Sequence, residues 1–348
     1  MTMQLSLDTE DKWQDVDAAK ELLREVESRY DLEVELFARE GPIYVLQTSA
    51  GLKALKKSDL SQLELDYITH SLADIDKQGC TAVVVPLAAA DGSRYFRFAD
   101  AHYFLMDWVK GRHCDYLYEK DALAVAKALG RLHAASRGIK FDPVPDTRWL
   151  LGFWPLHFSR KLDQMKAFAR EAREKTVPSS FDQLYLRDFR RYYRQGVEVL
   201  EKLADSSYSE LCQDLSLRAF CHRDLAYHNV LMDGKGIKFL DFDYSMVDLG
   251  LHDLADLLLR NLVLLNWNWE RARRILAAYN SVVPLDHRAY PVLAAFLQFP
   301  HEYWQIGLQY YYEKQPWSEE HFLARYERKL RSPELRQRFL NTFTKAFA

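Results

Sequence analysis

The sequence predicts an α+β chain of two lobes, β-rich at the N-terminus and mostly helical at the C-terminus. Three patterns predict it. Apolar residues alternate over much of residues 32–109, the period of half-buried strands. Beyond Gly111 they recur every three to four positions over long stretches, the period of amphipathic helices. Inside that helical half, residues 216–248 depart again, with Gly and Asp clustered around two brief strand-like runs.

Element by element, residues 16–29 read as a helix with Val16, Ala19, Leu22, Leu23 and Val26 on one face. Leu32, Val34 and Leu36, then Ile43 and Val45, predict two strands punctuated by Gly41-Pro42. Ser49-Ala50-Gly51 is a turn signal, and Leu52 to Lys56 returns as a third strand. Residues 58–78 predict a helix opening at Ser58 or Asp59, with Leu63, Leu65, Ile68 and Leu72 recurring. Strand-like runs follow at Ala82 to Leu87, Tyr95 to Phe98 and Tyr103 to Val109, the last ending in Lys110-Gly111. Long helices are expected over 119–137, 157–175 and 182–204, and again from 254 onward, broken by Pro284, Pro291 and Pro316. The join falls near 106–111, giving an N-terminal lobe of residues 1–107 and a C-terminal lobe of 108–348. No internal repeat or low-complexity tract interrupts this order.

The bulk numbers exclude several classes. At 348 residues, 48% apolar and 28% charged, the chain has the composition of a globular protein. Aromatics at 14% suit large cores. A formal charge of -3 without a Lys/Arg run gives no nucleic-acid footprint. Cys80, Cys114, Cys212 and Cys221 form no Cys-x-x-Cys pair, so neither a zinc site nor a disulfide framework is indicated. Met1 to Trp13 carries Asp8, Glu10 and Asp11 and lacks the apolar core of a secretory signal. Leu254 to Trp267 is interrupted by Asp256, Arg260 and Asn261, too short and polar a run to span a bilayer. A protein that is cytoplasmic when synthesised, with no membrane and no nucleic-acid partner, is the expectation.

The chemistry is carried by Cys221-His222-Arg223-Asp224, followed by Asn229, and then by Asp241-Phe242-Asp243 at the end of an apolar run. This is H-R-D-x-x-x-x-N, a short hairpin, and D-F-D. Phosphoryl transfer asks a protein for a carboxylate near the attacking hydroxyl and for oxygen ligands that hold Mg²⁺ against the phosphates. Asp224 supplies the first; Asn229, five positions on, and Asp241, twelve beyond that, supply the second, with Asp243 beside them. The bland alternative has Asp224 and Asn229 capping turns and Asp241 capping a helix, but it leaves the compound spacing without a reason. A cation for the nucleotide phosphates is offered by Ala54-Leu55-Lys56 on the third strand, which has the look of V-A-I-K. Lys56 is the candidate, with Lys53 and Lys57 as neighbours, and Glu64, eight residues on, is the candidate partner carboxylate. Where G-x-G-x-x-G would be expected the chain has Ala38-Arg39-Glu40-Gly41-Pro42-Ile43, which cannot present the same run of backbone N–H groups. No Ala-Pro-Glu follows Asp241, which speaks against a protein kinase. Asp253 is expected to cap the next helix and brace the loop. His222 is read as a hydrogen-bonded anchor, and His133 and His228 as packed side chains.

With these residues the chain resembles the spore coat protein S (CotS) family, within the aminoglycoside phosphotransferase and choline kinase-like group. The resemblance runs through Thr48-Ser49-Ala50-Gly51, Asp91-Gly92, Tyr103 to Arg112, Leu132-His133-Ala134-Ala135-Ser136, the His222–Asn229 segment and Leu240 to Ala255, covering most of residues 30–265. It implies a two-lobed protein-kinase-like fold, with Asp224 in the base position, Asn229 and Asp241 in the Mg²⁺ positions, and Met106 to Val109, Trp108 included, as the hinge that meets the adenine. ATP and Mg²⁺ are the cofactors so implied, a small-molecule hydroxyl the acceptor, and other spore coat proteins the macromolecular partners. Two alternatives stand beside the phosphotransferase: a kinase-shaped structural component of the coat, and a choline- or ethanolamine-type kinase using Trp304, Tyr310, Tyr311 and Tyr312 around a quaternary ammonium group.

Overall fold

A computed structural model describes residues 16–40 and 43–347. Gly41 and Pro42, on which the expected strand break and the departure from a glycine-rich loop fall, lie outside the described residues, as does the segment up to Gln14 and Asp15. The chain divides into two compact units. One holds the residues up to Leu65 together with Val84–Val109; the other holds Asp66–Val83 and everything from Lys110 on.

The first unit opens with helix α1 (Val16–Tyr30) and continues into strands β1 (Val34–Glu40), β2 (Ile43–Thr48) and β3 (Gly51–Ser58). Gly51 takes φ +90 between β2 and β3, a conformation that glycine enters without a Cβ clash. Helix α2 (Gln62–Lys77) follows, its residues from Asp66 on belonging to the second unit, and strands β4 (Phe96–Phe98) and β5 (Ala101–Asp107) complete an antiparallel sheet of order β1-β2-β3-β5-β4. Leu46, Leu55 and Leu105 from one sheet face, with Phe96, pack against Leu22 and Val26 of α1. Each such fully buried side chain stabilises the unit by about 1.5–3 kcal/mol.

The sequence expectations miss here in two places. Ala82 to Leu87 is not a strand: Val83 makes a lone parallel bridge to Phe239, and Pro86, with no N–H to donate, stands in the run. Helix α2 starts at Gln62, because Ser58 finishes β3 and it is Ser61 whose hydroxyl accepts from the Glu64 amide (3.4 Å).

The second unit is helical around small sheets. Strand β6 (Arg112–His113) leads into α3 (Glu119–Ser136), α4 (Trp154–Glu174), α5 (Ser180–Ala204) and α6 (Tyr208–Gln213). Helix α5 begins in a capping box between Ser179 and Asp182. Strand β7 (Arg218–Cys221), the hairpin β8 (Val230–Met232) and β9 (Ile237–Phe239), and β10 (Met246–Leu249) frame the segment that holds Asp224, Asn229 and Asp241. β7 pairs with β10, and β6, β8 and β9 form one sheet, all antiparallel. The rest is α7 (Leu251–Leu264), α8 (Trp269–Asn280), α9 (Ala289–Gln298), α10 (His301–Gly307), α11 (Glu319–Leu330) and α12 (Pro333–Ala346). Pro291 breaks nothing: it is the third residue of α9, where its missing N–H would have had no partner inside the helix. No helix among the described residues is long and apolar enough to cross a membrane.

Candidate active site

The site is built from the end of β7. Cys221 is fully buried there, its thiol donating to the Leu249 carbonyl (3.4 Å). The chain then turns through Arg223 at φ 72, a left-handed conformation costing a non-glycine residue about 1–2 kcal/mol. What holds it is Asp253, whose carboxylate accepts from the backbone N–H of His222 (2.6 Å) and of Arg223 (2.9 Å). Asp253 lies in the first turn of α7 and is fully buried. His133 of α3 sits 3.3 Å from the same carboxylate and 2.8 Å from the Tyr279 hydroxyl. Burial alone would push the Asp253 carboxyl up, but the His133 hydrogen bond and the nearby His133, His222 and His252 rings bring it down to about 2. The bracing role read for Asp253 is therefore found; the capping role is not, since Gly250 occupies the N-cap position. A Cβ on Gly250 would lie 2.6 Å from His133 Nδ1 and 3.0 Å from the Tyr279 hydroxyl. Gly250→Ala is accordingly expected to destabilise the protein by about 1–3 kcal/mol, read as a lower urea midpoint, because the neighbours it would displace are themselves fixed.

Asp224 follows, its side chain 30% exposed. Its Oδ2 accepts from Asn229 Nδ2 (2.9 Å) and its Oδ1 from Arg260 (3.0 Å). Asn229 also donates Nδ2 to the Asp224 carbonyl (3.1 Å), so its amide nitrogen is committed and Oδ1 is the atom left for a ligand. Asp256, one turn before Arg260, accepts from Arg260 Nε (2.8 Å) and from the Leu225 amide (3.3 Å). Burial would lower the Arg260 guanidinium, but Asp256 and then Asp224 raise it above its ordinary value. The Tyr116 hydroxyl donates to the Leu225 carbonyl (2.7 Å) and closes the loop from the α3 side.

Asp241 reaches the same place through backbone bonds. The Leu240 amide donates to the Asn229 carbonyl (2.9 Å), and His222 Nε2 lies 2.8 Å from the Leu240 carbonyl. Asp241 itself is exposed and takes φ 62, a second left-handed non-glycine residue. Phe242 stacks on Phe220 (5.6 Å) and against His222 (4.5 Å), which fixes the turn from below. Arg148 donates to the Asp243 carbonyl and to the Ser245 carbonyl (3.3 Å). His222 is thus the hydrogen-bonded anchor expected of it, while His133, read as mere packing, completes the Asp253 cluster.

On the first unit, register decides which face each residue shares. Ala54 pairs with Met106 and Lys56 with Phe104. These lie opposite Leu55 and Leu105, so Lys56 and Met106 occupy the sheet face away from α1. Lys56 is buried, its ammonium 5.7 Å from the Phe104 ring centre. The Trp108 amide extends the β3–β5 ladder by donating to Leu52 (3.1 Å). Lys53 points the other way and pairs with Asp107 at 2.6 Å. Glu64 accepts from the Ser61 amide (3.1 Å) and hydroxyl (2.8 Å), completing the cap of α2.

Sequence reasoning passed over Arg260 and Asp256. Their i, i+4 spacing marks an ion pair on α7, but the partner 36 residues upstream carries no local signal. It also passed over Asp248, which accepts from the Trp154 indole (2.9 and 3.0 Å) and lies 2.8 Å from His252 Nδ1. The aromatics Trp304, Tyr310 and Tyr311 are engaged in packing: Trp304 lies under Lys161 (4.0 Å), Tyr310 stacks on Phe181 (4.2 Å) and Tyr311 on Phe168 (5.6 Å).

The family model described as “Spore coat putative kinase YutH” matches residues 23–343. The chain belongs to this spore coat kinase family. Spore coat protein S of Bacillus subtilis is 27% identical over 314 residues, covering 87% of this chain and 88% of its own. Among solved structures, an aminoglycoside phosphotransferase from Alicyclobacillus acidocaldarius superposes with a TM-score of 0.79 at 23% identity, covering 92% of this chain and 94% of its own. The AMP-bound spectinomycin phosphotransferase APH(9)-Ia follows with a TM-score of 0.68 at 13% identity, covering 92% and 98%. These likenesses show the α+β, protein-kinase-like fold of aminoglycoside phosphotransferases.

Proposed function

We propose that this spore coat kinase family member is an ATP- and Mg²⁺-dependent phosphotransferase acting on the hydroxyl of a small molecule, and that it serves in association with the spore coat. The observation that carries the reading is the linkage of Asp224, Asn229 and Asp241: one carboxylate held on both oxygens, an amide oxygen left open, and a second carboxylate presented from a left-handed turn bonded to the first loop. A scaffold has no need of that combination. Asp224 accepts the proton of the attacking hydroxyl as its oxygen bonds to the γ-phosphorus and ADP departs. Asn229 Oδ1 and the carboxylates of Asp241 and Asp243 form a hard oxygen donor set suited to Mg²⁺, which neutralises charge on the phosphates when bound. Lys56 is the cation for the nucleotide phosphates, with Glu64 its candidate partner, and Met106 and Trp108 supply contacts for the base. The nucleotide reading is supported by the AMP held in the spectinomycin phosphotransferase, and the coat association by the likeness to spore coat protein S of Bacillus subtilis.

The sequence Ala38 to Ile43 favours a second reading, a kinase-shaped coat component without turnover, because it lacks the glycines that cradle phosphates. Calorimetric titration with ATP and Mg²⁺ separates the two. Mg²⁺-dependent binding is expected, weakened by about tenfold or more in Asp241→Ala through loss of a charged ligand. No binding up to several millimolar, weaker than about -4 kcal/mol, would leave the structural reading standing.

A further inference from the structure

One face of α5 carries Arg187, Arg190, Arg191 and Arg194 at the i, i+3, i+4, i+7 spacing. These side chains line a cavity of about 650 Å³. Its other wall, at the junction of α11 and α12, contributes Lys329, Arg331 and Arg336, and the lining contains one carboxylate, Glu198. The molecule as a whole is net negative at -3, so this is a local concentration of positive charge and not a general basicity.

Among the described residues, three of these seven cations are paired with a carboxylate and four are not. Arg187 pairs with Asp188 (2.8 Å), Arg191 with Glu334 (3.8 Å) and Arg336 with Glu302 (3.2 Å). Among the described residues Arg190 and Arg194 make no ion pair; Arg331 donates to the Val263 and Leu264 carbonyls and Lys329 to Gln305 Oε1, all neutral acceptors. Arg336 is 7% exposed and lies over the Trp267 ring at 4.8 Å; its Nη2 donates to the Leu297 (2.6 Å) and Phe299 (2.9 Å) carbonyls, while its Nε is buried with no hydrogen-bond partner. Burial, with Arg325, Arg260 and Arg328 nearby, brings the Lys329 ammonium down to about 8 against the opposing pull of Glu302. Like charges three and four apart on a helix repel one another and destabilise it. Here the exposed arginines of α5 flank a concavity whose opposite wall holds the buried Arg336.

We infer that this cavity is a binding site for a compact, multiply charged anion carrying two or more phosphate or carboxylate groups. Arginines outnumber lysines in it six to one, and the planar guanidinium fork matches carboxylate and phosphate oxygens in pairs. Its volume lies within the range of small-molecule pockets, roughly 300–1,000 Å³. The site stands independently of whether Asp224 transfers phosphate.

Titration of the full chain with tripolyphosphate, in Mg²⁺-free buffer at an ionic strength of about 0.15 M, tests it, with citrate as the carboxylate arm. Saturable binding of either anion is expected, weakened by about tenfold or more in Arg190→Ala/Arg194→Ala as charge-assisted contacts are lost. Both substituted side chains are exposed and unpaired, so the variant relieves repulsion and keeps its fold. Lys56→Ala, which removes the cation proposed for the nucleotide phosphates, should bind the probe as the parent does. Absence of binding up to several millimolar, equal affinity in the arginine variant, or loss in Lys56→Ala, which would place the probe at the proposed nucleotide site, each overturns the inference.

Discussion

Asp224→Asn is expected to lower phosphotransfer turnover by about 10²- to 10⁴-fold, the share a positioned general base contributes. The substitution preserves shape but replaces one acceptor oxygen by an NH₂ group. Asp224 receives hydrogen bonds on both oxygens, from Asn229 and from Arg260, so either partner would then face a donor. That rearrangement is confined to a partly exposed side chain, and the fold should survive it. The readout is therefore a split: turnover collapses while Mg²⁺-dependent ATP binding and the urea midpoint stay close to the parent. A loss below about tenfold in a folded variant would remove Asp224 from the base role.

Asp253→Ala should cost about 3–5 kcal/mol of stability, the range for stripping one partner from a buried charged network. Two backbone N–H groups, those of His222 and Arg223, would lose their acceptor together, and His133 would lose its carboxylate. The same group sets an acid limit. Its folded pKa, about 2, lies below the ordinary aspartate value of 3.8. A depressed carboxylate contributes stability that is fully present above its unfolded pKa and is lost as pH falls through the folded one. The contribution here is on the order of 2 kcal/mol, given up between pH about 4 and about 2. Urea midpoints of the parent and Asp253→Asn should therefore converge as the pH falls across that window; parallel curves would show that the carboxylate is not the group responsible.

Comparison of these two aspartates shows what a sequence can reveal. Asp224, Asn229 and Asp241 were legible because their chemistry is packed into a loop and a hairpin, where spacing along the chain nearly fixes spacing in the fold. Lys56 was legible only as a lysine on a third strand with the look of V-A-I-K; the pairing of β3 with β5 is what gives its face. The partners were not: Arg260 meets Asp224 across 36 residues and His133 meets Asp253 across 120, and such pairings are decided by how helices pack, which leaves no local pattern. Within elements the errors came from polar groups with two uses. Ser58 suits a helix start but finishes β3, and Pro86 sits in an apolar run that reads as a strand yet lacks the donor a ladder needs.

Arg223 and Asp241 share an unusual backbone conformation; the Arg223 amide is held by Asp253, and Leu240, the residue before Asp241, is held by Asn229 and His222. Ordering one residue's backbone costs about 1–2 kcal/mol of conformational entropy. Because the fold's own hydrogen bonds complete that ordering, a molecule arriving at Asp224 and Asp241 meets a preorganised surface and does not have to supply the ordering from its own contacts.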